Sequence, residues 1–507
     1  MNYRNGRHRI SLLALLFLLG TNTLCAQEPQ QPQPQQPQPQ QPQPQEPQPQ
    51  QPQPQEPDDN PYDSTPKPAG RALPYFDLGI GNGDLRPDYT PLTGMLNAGL
   101  GFPDVKHSYW VPGVSVSSSA ESNLFGPSSS SGWFATSYVT GNVSLLEAWS
   151  RSQLALNYSG GGSFSTDSTE GVSGFQQLAF AESFQLNRWI VQIVDQFSQL
   201  PQSGFGFGVG TSLGIPGVGG ALGPTIPTIG SATSPNQSIF SGYGPRYSNT
   251  AVAEATYQLT RRSSITAAGA YGILHFVDAG NIDTNSVFGS LGYNYQLSHK
   301  DNIGFFGQFS SYHFPGNPQA YGIRTVSAAY SRKITGRLAL SLYGGPQFTS
   351  LRVAVGNTSS IVNGYASAFV NYQFTNGGIS GHYVHGISDG SGVLTGSLLD
   401  EVGFSAGRKL TRQWSASAHV GYAHNRSVVN GVGTVSNPSY DDWYVGVGVN
   451  RPLGRDLVVS LAYSASFETN HPGCSSPTTP GCGPGATTSG QVITLNFRWH
   501  PRPFALQ

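Results

Sequence analysis

The chain has 507 residues, 10% of them charged and 37% hydrophobic, both below the ~25% and ~45–50% of ordinary soluble domains. With 26 basic against 27 acidic residues it has no basic excess for a nucleic-acid partner. No apolar run of ~20 residues follows the first 20, which excludes a helical membrane protein. The 64 glycines keep no three-residue period, which excludes a collagen-like fibre. What remains is rich in glycine and aromatics, and suits β-strands that are apolar on one side only.

Residues 1–26 have the form of a secretory signal peptide. Arg4, Arg7 and Arg9 precede an apolar core from Ile10 to Leu19, too short to cross a bilayer as a helix. Cleavage is expected after Ala26. Cys25 raises a lipoprotein alternative, but Asn22-Thr23-Leu24 makes a poor lipobox. Residues 27–70 are a Pro/Gln-rich linker with a PQPQQ repeat over 27–57. Such a tract has no core to bury and is expected as extended polyproline II. It reads as a disordered periplasmic arm, a passive spacer in preference to a ligand for a periplasmic or cell-wall partner. Residues 71–110 precede the repeating region.

From residue 111 to about 500 a hairpin unit recurs. Its word is aromatic-x-aliphatic-[Ser/Thr/Asn]-[basic or small], followed by an alternating strand. It reads YQLTRRSSITAAGAYG from Tyr257, YQLSHKDNIGFFGQF from Tyr295 and GRKLTRQWSASAHVGY from Gly407. Eight such short turns are spaced by roughly 36–43 residues, apart from one gap of about 73. Between them apolar residues alternate with polar or small ones: Leu154, Leu156 and Tyr158; Leu457, Val459, Leu461 and Tyr463; Ile493, Leu495, Phe497 and Trp499. Period two gives every strand one apolar and one wet face.

A soluble sandwich alternates too, but its strands usually run five or six residues. Here many alternating segments run 10–15 residues, the length of a tilted membrane crossing. Aromatics cluster near turns and strand ends, among them Trp149, Trp189, Tyr257, Tyr295, Tyr372, Trp414 and Trp499, as in an interfacial girdle. Basic residues gather at the short turns, from Arg151 to Arg455, where headgroups attract them. The expected fold is therefore all-β: a transmembrane antiparallel up-and-down β-barrel. Eight short turns with both ends on one side imply eighteen strands, or sixteen if the first hairpin is misread. The strands are expected near 111–125, 134–148, 152–166, 174–187, 188–200 and 248–260. Then follow 263–277, 284–298, 301–314, 320–334, 337–351, 360–375, 377–388, 394–409, 413–426, 438–450, 455–469 and 490–500. A tail over 501–507 remains.

The signal peptide, the hairpin repeat and the closing strand GQVITLNFRW resemble bacterial outer-membrane β-barrels of the porin type. That resemblance implies the outer membrane of a Gram-negative bacterium, outer-membrane lipid around the wall and small polar solutes within it. It implies no cofactor and no metal, and leaves a homo-oligomer open. Many such barrels end on an aromatic residue; here Phe497 and Trp499 are followed by HPRPFALQ. The third outer loop, residues 201–247, contains 12 glycines and no charge before Arg246. In porins of this type the third loop folds inward as a constriction, which implies that role for Phe205, Phe207, Leu213, Ile215, Val218, Leu222, Ile226, Ile229 and Arg246. The alternative is a mobile surface loop.

Two cysteines that survive processing, Cys474 and Cys482, sit in a Pro/Gly-rich loop; in an exported chain they favour a local disulfide. His382, Glu401 and His419 fall on consecutive strands with lumen parity and form a candidate polar cluster, with isolated wall residues as the alternative. Parity points Glu182 and Asp195 toward lipid, where a carboxylate is costly; a β-bulge would relieve this, and a subunit contact is the second explanation. No G-x-S-x-G or complete G-x-G-x-x-G motif is present, and an enzyme is not expected. Two functions stand: a passive diffusion channel for small polar solutes, and a non-conducting structural or assembly barrel, for example in exopolysaccharide export, whose Pro/Gln arm engages periplasmic partners.

Overall fold

The computed structural model describes residues 108–122, 133–166, 171–200, 245–277, 280–354, 357–390, 392–428, 438–471 and 487–506. Its first six strands are β1 (Tyr109–Ser122), β2 (Trp133–Ala148), β3 (Ser152–Ser165), β4 (Val172–Leu186), β5 (Trp189–Leu200) and β6 (Arg246–Thr260). The next six are β7 (Ser263–Phe276), β8 (Thr284–Gln296), β9 (Asp301–His313), β10 (Ala320–Lys333), β11 (Leu338–Ala354) and β12 (Asn357–Phe374). Then come β13 (Gly377–Ser388), β14 (Ser397–Lys409), β15 (Ser415–Ser427), β16 (Ser439–Leu453), β17 (Leu457–His471), β18 (Thr487–Trp499) and the short β19 (Phe504–Ala505). The described residues contain no helix.

Each strand from β1 to β18 pairs antiparallel with its sequence neighbours. β18 then closes on β1, with Val114 opposite Trp499 and Glu121 opposite Val492. The fold is thus a closed up-and-down barrel of eighteen strands. The first hairpin settles eighteen against sixteen, because Tyr109 to Ser122 pairs along its whole length with Leu146 back to Trp133. Beyond the expected pattern, β19 turns the tail back onto β1. Tyr109 lies opposite Ala505, and the Phe504 ring stacks on Trp110 with centroids 5.0 Å apart.

In a closed barrel the concave face is the less accessible one, so exposure identifies the two sides. On β1, Ser115, Ser117, Ser119 and Glu121 are buried while Val114 and Val116 are exposed. The outer face carries Leu291, Phe305 and Val326, each at least 60% exposed. Such a belt of large apolar side chains would be unstable against water and is the surface that hydrocarbon solvates. The wall is a membrane-spanning one, apolar outside and largely polar within.

The hairpin word has a structural cause. Its fourth residue, Ser or Thr, closes the short turn through its hydroxyl. Thr411 Oγ1 accepts hydrogen bonds from the Gln413 and Trp414 amides, and Thr335 Oγ1 from those of Arg337 and Leu338. Ser298 Oγ does the same for Lys300 and Asp301. A short polar side chain that bonds backbone two or three residues on is what a tight turn requires.

Candidate lumen and mouth of the barrel

Parity brings two of the three predicted cluster residues together. His382 on β13 and Glu401 on β14 both point inward, with His382 Nε2 3.2 Å from Glu401 Oε1. Phe369 on β12 stacks on the imidazole at 6.4 Å. The ring lies flat on the wall because the residue opposite is Gly403: a Cβ there would fall inside the imidazole. His419 does not join the pair. Register sets it opposite Ser405, four residues along β14 from Glu401, where it packs against Tyr444 at 5.9 Å. The same device recurs there, with Gly446 beneath His419.

Glu401 belongs to an acidic stretch of wall. Asp442 on β16 lies opposite Ala423, itself opposite Glu401, and Glu468 on β17 lies opposite Asp442. Glu121 on β1 and Glu254 on β6 also face inward. The inward cations Arg246, Lys333, Lys409 and Arg498 sit at or next to strand ends. The facing wall is different: Leu146, Ala155, Ala181, Val194, Val252, Ala270 and Phe288 form a continuous apolar row from β2 to β8. Sequence reading foresaw polar and small inward residues, but neither this acidic stretch nor this apolar row.

Contacts across the mouth come from a loop that the sequence did not single out. The expected strand includes residues 394–396; β14 starts at Ser397, and residues 389–390 and 392–396 lie outside any strand. The backbone of Gly390, Gly392 and Gly396 is left-handed, with φ of 82°, 79° and 80°, a conformation strained for other residues. Gly392 O accepts the Ile282 amide at 2.7 Å, and a Cβ on Gly392 would strike Phe276. Ile282 lies between β7 and β8, so this contact joins hairpins six strands apart in a wall of eighteen. Thr395 hydrogen-bonds Gln319, and Gly396 abuts the Tyr321 ring, both between or on β9 and β10. Below lies an apolar cluster of Phe314, Tyr321, Ile323, Leu351 and Val428. The loop therefore reaches over the long-loop end of the barrel.

Phe205, Phe207, Leu213, Ile215, Leu222 and Ile226 lie outside the described residues, as do Cys474 and Cys482. Arg246 is buried and faces inward, opposite Phe276. Glu182 and Asp195 do face outward, but without the expected bulge: β4 and β5 pair without a register shift, Glu182 opposite Ile193 and Phe180 opposite Asp195. Asp195 is relieved instead by a neighbouring side chain, the Asn249 amide donating to its Oδ1 at 3.1 Å.

Eighteen strands with a largely polar interior make a barrel of the size that can enclose an aqueous channel. No family model matches the chain, and no curated protein matches its sequence. Among solved structures, it is similar to OccK2 (OpdF) of Pseudomonas aeruginosa, at 10% identity and a TM-score of 0.39 over 78% of this chain and 98% of that one. A BenF-like porin from Pseudomonas fluorescens Pf-5 matches at 10% identity and 0.39, covering 80% and 100%. The FrpB iron transporter from Neisseria meningitidis matches at 8% and 0.37, covering 78% and 82%. Likeness at this level bears on neither substrate nor mechanism.

Proposed function

We propose that the chain is an outer-membrane channel for passive diffusion of small polar solutes, with no cofactor and no catalytic step. The observation that carries this reading is the closed eighteen-strand wall with an apolar exterior and a polar interior. The signal peptide delivers the chain to the periplasm, and the Pro/Gln arm stays there as a spacer. The short turns, which lie at the end where β1 starts and β18 finishes, face the periplasm.

Selectivity follows from the wall. Carboxylates at positions 121, 401 and 468 line one side, and the Asp389–Gly396 loop narrows the mouth above them. Low-dielectric walls lined by one sign of charge concentrate the opposite ion. The channel therefore favours neutral and cationic solutes over anionic ones. Steady openings of the purified protein in planar bilayers, with a reversal potential in a salt gradient that reports cation preference, are the expected result. E401Q should reduce that preference. A correctly folded barrel that stays silent supports the structural or assembly role instead.

A further inference from the structure

The outer face of β13 to β18 holds a groove of about 680 Å³ in its turn-side half. Its floor is three alanines adjacent by register, Ala406 on β14 with Ala416 and Ala418 on β15. Ile379 walls it on one side, Leu461 and Tyr463 on the other. Small side chains between bulky ones make the depression. Its lining is almost wholly apolar, Ser417 and the Tyr463 hydroxyl apart, until the turn end, where Arg408 enters.

Charge is concentrated around that end. Arg408 and Arg412 flank the β14–β15 turn, and Arg451 and Arg455 flank the β16–β17 turn; all four are exposed. The Arg451 guanidinium lies over the Trp414 ring at 5.3 Å, which holds a cation at interfacial height. The one acidic residue in these two turns is Asp456.

We infer that this groove binds an anionic phospholipid of the leaflet that the short turns face. One acyl chain lies over the alanines, and the headgroup phosphate rests against Arg408. The inference rests on the membrane reading above. A zwitterionic lipid brings its own ammonium group into the cation cluster and is disfavoured. A second copy of the chain docked symmetrically on this face would set four arginines against four, which argues against it as the occupant.

The test uses the full-length protein in phosphatidylcholine vesicles, with and without phosphatidylglycerol. Flotation first reports insertion. Spin-labelled phosphatidylglycerol and phosphatidylcholine then report relative association with the wall. Phosphatidylglycerol is expected to associate several-fold more strongly. Arg408→Gln should lower that ratio about five-fold, the equivalent of ~1 kcal/mol per basic residue near the surface. Ala416→Trp should abolish the preference by filling the floor, whereas Ala253→Trp, on the exposed outer face of β6, should leave it unchanged. Equal association of both lipids, or a preference that survives Ala416→Trp in a folded barrel, overturns the inference alone. So does a cross-linked dimer that Ala416→Trp dissolves. Failure to float with vesicles overturns the membrane reading and the inference together.

Discussion

His382 and Gly403 show how a single residue sets the wall. The imidazole occupies the space that a Cβ at 403 would need, and from there it reaches Glu401. Gly403→Ala should force the ring off the wall and destabilise the barrel by about 1–3 kcal/mol, the usual effect of overpacking. In H382A the same alanine should be nearly neutral, because the ring it would strike is gone. Denaturant unfolding of the four proteins in a double-mutant cycle measures the coupling; additive effects would mean the ring does not lie there. Period two alone assigned His382 and Glu401 to one wall. It failed for His419 because parity selects a face, while distance along the strand depends on register. Parity was also right for Asp195. The Asn249 amide that accommodates it comes from β6, across the long 201–245 connection, so local reading had no access to it.

At the level of strands and turns, the sequence was most informative where two signals coincided, an alternating run and a Ser/Thr-containing turn. That is why all eighteen wall strands were foreseen. The turn word is visible as chemistry once Thr411 and Thr335 are seen to hold paired backbone amides. Thr411→Ala should therefore cost about 1 kcal/mol, the ordinary worth of such hydrogen bonds, read as a lower unfolding midpoint with an unchanged slope. The mouth loop was hidden for the opposite reason: DGSGVLTG reads like any glycine-rich connection, and its partners at Phe276, Ile282 and Gln319 lie more than 70 residues away. Replacing Asp389–Gly396 by a two-residue turn should raise single-channel conductance. Deleting 205–240, which spares β5 and β6, tests the other candidate constriction independently. If only the second deletion widens the pore, the Asp389–Gly396 loop is not the narrow point.

For the whole molecule, closure removes every free edge from the wall, since each strand from β1 to β18 has a neighbour on both sides. Stability then depends on completeness. A chain cut before β18 leaves β1 and β17 each with a bare row of amides and carbonyls, which recruit other chains. Ending the chain after His471 should yield aggregates in place of a monomeric barrel in detergent, read by size-exclusion chromatography with light scattering. A soluble monomer from that truncation would contradict the closed architecture.

The joining of β18 to β1 also governs when the protein can exist. Val114 and Trp499 meet across nearly the full span of the repeat, so no earlier fragment holds the information to finish the ring. Contacts so distant in sequence form slowly. Until that pairing forms, the wall is an unsealed ribbon, greasy along one side and thirsty for partners along its margins. Both stay open to other chains until the final strand arrives.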